Sequence, residues 1–186
     1  MVRETVKYMI YKPRDPYWPT MEMKRIKVIN EATELVPILR AVDSAVQREV
    51  FKEVARDWVT MKAIEAKYGK EGKDAIIFFE RMKLVESKWE AAEGGTEKAF
   101  HSYYVSFHIN LSCPVTEIAD ILSVATMDEK DYKVYEKRIL KIIGEEGKFA
   151  GDIAEEIQVS PTFLRSLIKR SVLLEYRGHR VEKFKE

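Results

Sequence analysis

The residues best equipped for chemistry lie near the carboxy terminus. Ser160 followed by Pro161 puts a side-chain acceptor at a helix N-cap and a preset φ at the first helical position, so a helix should start there and run to about Arg170. At 100° per residue, Thr162, Arg165, Ser166 and Lys169 share a stripe about 100° wide, and Phe163, Leu164, Leu167 and Ile168 occupy the opposite face. Such a helix buries one side and offers hydroxyls and cations on the other. Arginine can bind a guanine edge bidentately, lysine neutralises phosphate, and the free N–H groups at the helix start, from Ser160 to Thr162, can hold a phosphate oxygen. Arg170 ends the helix with a further cation, and a hairpin follows whose turn, Arg177-Gly178-His179, together with Arg180, can reach a DNA backbone or minor groove. Residues 160–180 hold five basic and one acidic side chain, while residues 145–159 hold one basic and five acidic. The positive charge is therefore local to this helix and hairpin, which favours double-stranded DNA as partner over a merely solvated basic surface.

Other chemistries find little support. Cys113, His101 and His108 are metal-ligand types close in sequence, but on one strand over residues 100–109 the two histidines, an odd number apart, would face opposite sides. Cys113 reads better as a small buried apolar residue. With one cysteine there is no internal disulfide and no multi-cysteine zinc site. No phosphate-binding loop, His-Glu-x-x-His, Gly-x-Ser-x-Gly or dinucleotide fingerprint occurs, and Glu145-Glu146 and Glu155-Glu156 are neighbours on solvated faces rather than acid–base pairs. Neither catalysis, nor a cofactor, nor a bound metal is expected. The 186 residues carry a net charge of +1, so no global field draws the chain to nucleic acid or acidic lipid. The absence of a long apolar run and of a signal-peptide pattern predicts a cytoplasmic protein with no membrane association. Only four amide side chains (Asn30, Asn110, Gln47, Gln158) stand among abundant Glu and Lys, the compositional pattern of hyperthermophiles.

The elements that position these groups follow from periodicity. Residues 1–30 read as an arm in which strands at 5–11 and 23–29 pair across a connector with Pro13, Pro16 and Pro19. Leu35, Ile38, Leu39 and Val42, then Val46, Val50, Phe51 and Val54, then Ile64 and Tyr68 mark three helices. Gly69 and Gly72 bracket a break before a fourth, over 74–83. Strands are expected at 85–90 and 98–109. Residues 114–127 form a mostly apolar helix that must pack on a neighbour within the chain or in a second subunit, and a long amphipathic helix follows from Asp128 to Gly144. A short helix at 149–157 leads, through a turn at Gln158-Val159, into the Ser160 helix. Helix, turn, helix and hairpin spell a winged helix-turn-helix, and residues 31–109 repeat the order with longer parts. The fold class expected is α+β, mostly α, as tandem winged helix-turn-helix units with an N-terminal extension: an arm at 1–30, a first unit at 31–110, a connecting helix at 111–127 and a second unit at 128–186.

The segment from Ile38 to Phe51, with Asp43, Ala45 and Arg48 in its turn, resembles the opening of ArsR-like winged-helix regulators, in which a leucine-rich helix and an Asp-Pro-x-Arg turn precede the reading helix. Ala45 stands where that family usually has proline. The resemblance runs to about Ile109, and the downstream half resembles the second winged-helix unit of some archaeal members. It implies a dimeric transcription factor that binds operator DNA, pairing through the helices that flank the first unit. The Cys-x-Cys motif of the metal sensors is missing, which excludes metal sensing at that site.

The first unit's reading helix would expose Lys73, Ile77, Glu80 and Arg81, and its wing carries Glu93 and Glu97, so acid and apolar groups stand where phosphate would come. Either this unit uses Lys73, Arg81 and Lys88 on DNA, or it contacts another protein. The leading expectation is a sequence-specific DNA-binding transcription regulator acting as a homodimer. The alternative is a winged-helix adaptor for a protein of the transcription machinery. Elemental analysis should find no stoichiometric metal on the purified protein, and Cys113→Ser should leave DNA affinity intact; stoichiometric zinc, or a large loss of affinity on chelation, would overturn this.

Overall fold

A computed structural model of the chain describes residues 25–92 and 95–184. Side-chain caps start three of the seven α-helices among the described residues. Ser44 accepts a hydrogen bond from the Gln47 N–H at 3.1 Å, and the Gln47 side chain accepts one from the Ser44 N–H at 3.0 Å, a reciprocal capping pair that starts α2 (Ala45–Arg56) after the short α1 (Leu35–Ala41). Thr60, the last residue of β2 (Val59–Thr60), caps α3 (Met61–Arg81) through the Ala63 N–H. At Gly69, φ of 62° and ψ of −151° break α3 into two arms, a conformation glycine adopts without Cβ strain. The expected third and fourth helices are these arms.

From α3 the chain enters β3 (Val85–Ala92) and β4 (Gly95–Ser102), which pair antiparallel, with β2 on the other edge of β4. The strand expected over 98–109 is two strands. The ladder ends where the Ser102 hydroxyl bonds the Tyr104 carbonyl at 2.7 Å, and a new pairing begins where the Val105 N–H reaches the Arg25 carbonyl at 3.0 Å. β5 (Ser106–Ile109) then runs parallel to β1 (Ile26–Ile29). The expected partner strand for β1, at residues 5–11, lies outside the described residues.

The same order of elements recurs downstream. α4 (Val115–Thr126) and α5 (Glu129–Ile143) lead to β6 (Lys148–Phe149), α6 (Ala150–Ile157), α7 (Pro161–Arg170), β7 (Leu174–Arg177) and β8 (Arg180–Lys183), the last two forming an antiparallel hairpin with β6 on the edge of β8. Each half has its own apolar core: Val50, Val54, Ile64, Ile76, Phe79 and Phe100 in the first, Ile139, Ile153, Leu164, Leu167 and Val181 in the second. A third, smaller cluster of Ala32, Val36, Ile121 and Ala125 packs α4 on the segment that follows β1, with Cys113 at its edge. The apolar helix thus finds its neighbours inside the chain, in α1 and α7. Two large apolar side chains remain on its outer side, Val115 82% and Leu122 45% exposed, among hydroxyl residues.

Arg170 fastens α7 to α4. Only 4% exposed, it donates to the Val124 and Met127 carbonyls at 2.7 Å each and to Glu129 at 2.9 Å, and its guanidinium lies 4.3 Å from the centre of the Tyr132 ring. Removing it leaves two carbonyls without donors and opens a cavity, so Arg170→Ala should cost about 2–4 kcal/mol, from about 1–3 kcal/mol for each acceptor left unsatisfied. Urea unfolding checks this; a change within about 0.5 kcal/mol would place Arg170 among ordinary surface residues.

Candidate nucleic-acid interface

The Ser160 hydroxyl accepts from the Phe163 N–H at 3.0 Å and donates to Asp120 on α4, so the residue that starts α7 also ties it to its neighbour. The core side of α7 holds Leu164, Leu167 and Ile168. α4 takes the adjoining flank, and this divides the expected polar stripe. Ser166 is fully buried and bonds the Thr162 carbonyl at 2.8 Å, and Arg170 is consumed as described above. Both depart from their expected place on the open face, because helical periodicity shows which residues share a flank and not that a second helix covers it. Thr162, Arg165 and Lys169 keep contact with solvent.

Arg165 is held across the open sector. Its guanidinium pairs with Glu31 at 2.7 Å and lies 5.4 Å from the centre of the Tyr176 ring. Glu31 also accepts from the Thr33 hydroxyl at 2.7 Å. Partial burial works against the Glu31 carboxylate, but the bonds from Thr33 and Arg165 and the charges of Arg165 and Lys169 outweigh it and hold the carboxyl below its usual range. Burial pushes the Tyr176 hydroxyl up. Together Glu31, Thr162, Arg165, Tyr176, Phe149 and His179 border an open groove of 330 Å³.

In the hairpin, Gly178 takes φ of 61° between strands whose end pair is Arg177 and Arg180. Arg177 is exposed and pairs with Glu175 at 3.0 Å and Glu182 at 3.7 Å. His179 is exposed, its ring 6.4 Å from that of Phe149, while its carbonyl accepts the Ala150 N–H at 2.9 Å. Arg180 donates to the carbonyls of Glu146 at 3.2 Å and Gly147 at 2.8 Å, which joins the hairpin to the turn before β6. Of the hairpin groups, Arg177 is exposed but paired with two carboxylates, and His179 is exposed beside the Phe149 ring.

The three cations of the first half expected at the interface are occupied. Lys73 sits 3.6 Å from Glu65, and Lys88 pairs with Glu90 at 2.7 Å while its ammonium lies 4.1 Å from the centre of the Trp58 ring. Arg81 donates to the Val172 carbonyl at 3.1 Å, stands 4.0 Å from Glu175 and packs on the Phe184 ring, so it joins the two halves instead of facing a ligand. Sequence reasoning missed this bridge and the Glu31 clasp: Arg81 and Val172 lie 91 positions apart, Glu31 and Arg165 lie 134 apart, and no local pattern connects them. His101 stacks on Trp58 at 5.3 Å and His108 lies on β5, a different strand, so the parity argument for their divergence does not apply as framed. Among the described residues no three His, Cys, Asp or Glu side chains group to hold a metal.

The Glu31 clasp has a pH signature. A carboxyl lowered on folding leaves the unfolded chain binding more protons near its own pKa, so the clasp's contribution is present above about pH 4.3 and is lost as pH falls through the lower folded value. Chemical denaturation should show a stability gap between the wild type and Glu31→Gln at pH 6 that closes toward pH 3. A gap that is constant or widens in acid would contradict it.

Comparison with known proteins bears on what this surface serves. No curated protein is similar enough to the chain to register as a relative. No helix among the described residues is long and apolar enough to cross a membrane. The model of the ArsR transcriptional regulator family matches residues 29–185, which takes in both sets of elements and the hairpin that carries His179. The chain belongs to the ArsR transcriptional regulator family.

Proposed function

We propose that this regulator is a sequence-specific DNA-binding homodimer built from two winged-helix units, at 31–110 and 128–186, with 111–127 as connector and 1–30 as an arm, and that the second unit does the reading. The observation that carries the reading is the open sector of α7, where Thr162, Arg165 and Lys169 stand together beside the hairpin turn with Arg177 and His179. Arg165 reaches a base edge once Glu31 yields to the duplex, Lys169, Arg177 and His179 take phosphates, and the N-terminal amides of α7 face the backbone. Ser160 sets the helix start, while Arg170, Ser166 and Arg180 hold the frame. A second copy supplies the other half-site, seated against the outer side of α4 at Val115 and Leu122.

A second reading, contact with a protein of the transcription machinery, is favoured by a different observation. Ile77 on α3 is 45% exposed and Trp89 on β3 is 70% exposed, and the first half's cations named above are paired. Apolar docking there would change little with salt, whereas DNA affinity falls steeply.

Fluorescence anisotropy on the natural promoter tests the leading reading. Arg165→Ala should cost about 1–3 kcal/mol on the preferred site and relax one base position, and Lys169→Ala should weaken all sequences alike and flatten the salt slope by about one. Glu31→Gln, which frees Arg165, should tighten binding. Folded variants of Arg165 and Lys169 that bind unchanged at several salt concentrations would remove α7 as the reader. Light scattering at micromolar concentration should give twice 21.7 kDa, and a monomer mass would remove the dimer.

A further inference from the structure

The outward ridge of α5 is a second candidate for contact with a polyanion. At 100° per residue Lys130, Lys137 and Lys141 fall within about 40° of arc, with Val134 between them at 64% exposure. The buried residues Tyr132, Glu136, Ile139 and Ile143 lie on the opposite side of the helix. Widening the sector to about 140° adds Lys133 and Arg138 and no carboxylate. Lys133 is drawn to Glu136 at 2.5 Å, and Arg138 to the Glu156 carbonyl at 2.8 Å. No hydrogen bond or ion pair among the described residues engages Lys130, Lys137 or Lys141. Several other lysines are paired: Lys52 with Glu49, Lys73 with Glu65, Lys88 with Glu90 and Lys148 with Glu156. Leaving three lysines in one row unpaired, in a chain with 31 acidic residues, sets this ridge apart.

We propose that the α5 ridge binds the phosphate backbone of a duplex without reading its sequence, at a place separate from α7. The three ammonium groups span about 16 Å along the helix, a straight convex row that suits a run of phosphates. A membrane surface fits poorly, since an interfacial helix must offer its apolar face and that of α5 is closed in the core. The buried side of α5 is turned toward α6, α7 and β8, so the ridge points away from the reading sector and meets a second duplex segment. This inference deepens the DNA-binding reading and rests on it.

The test is the stoichiometry of a short duplex of random sequence on the full chain, by titration at low salt, for the wild type and for Lys130→Gln/Lys137→Gln/Lys141→Gln. The substitutions are at exposed positions, and circular dichroism checks that the helix content holds. With a duplex only long enough for one half-site, the expected result is two duplexes per chain for the wild type and one for the triple variant, with the log–log salt slope of the wild type's second site near −2.7, about −0.9 per lysine. One duplex per chain on both proteins, with equal slopes, overturns the ridge and leaves the α7 reading standing. No binding to the wild type overturns both. Loss of all binding in the folded triple variant places the duplex on the ridge and overturns α7. Binding of phosphatidylserine vesicles by the wild type but not the variant, with duplex stoichiometry unchanged, assigns the ridge to a membrane and overturns the proposal.

Discussion

A guanidinium withdrawn from water fixes how α7 sits on α4 and the start of α5. The last carbonyls of any helix lack partners within it, and those at the end of α4, Val124 and Met127, take theirs from Arg170. The cation in turn needs an anion, and Glu129 at the start of α5 supplies one while also lying 3.5 Å from Arg40 on α1. Arg170 therefore ties α7 to α4 and α5, and Glu129 carries the link on to α1. Ser166 is buried, and Arg165 and Lys169 stay open, as a consequence of that placement. Beside it Glu136, 2% exposed, is held by Lys133 at 2.5 Å, Ser171 at 2.7 Å and Tyr132 at 3.0 Å. Burial alone would raise its carboxyl, and these three donors bring it below the usual range instead.

Charge in this molecule is spent mostly on itself. With 32 basic and 31 acidic side chains there is no surplus to attract nucleic acid from a distance, so any affinity must come from places where pairing is incomplete. The open sector of α7 is one such place, although Glu31 competes there for Arg165. On the reading proposed above, a duplex must offer Arg165 more than Glu31 does. The first half has gone further: Arg81 is built into the junction with Val172 and Phe184, and apolar groups such as Trp89 are what its surface displays.

Much of the scaffold could be read in the sequence because it obeys local rules. Ser160-Pro161 begins a helix, Gly69 breaks one, and Gly178 turns a hairpin, all within a few residues of the signal. The features that were not legible are long-range. The exit of β5 to pair with β1 depends on Arg25 and Val105, far apart in the chain, and the burial of Ser166 depends on where α4 lies. The α5 ridge is an intermediate case. Its lysines at i, i+7 and i+11 are visible as a period, but that none of the three forms an ion pair with a described residue is visible only in three dimensions.

The most direct measurement of the central claim is backbone hydrogen exchange on the free protein and on its complex with a promoter duplex. Slower exchange is expected at the start of α7, residues 160–165, and at the hairpin turn, residues 177–180, with α3 and the β3–β4 hairpin unchanged. Protection confined to residues 70–92, with 160–180 exchanging as in the free protein, would contradict it and move the interface to the first half.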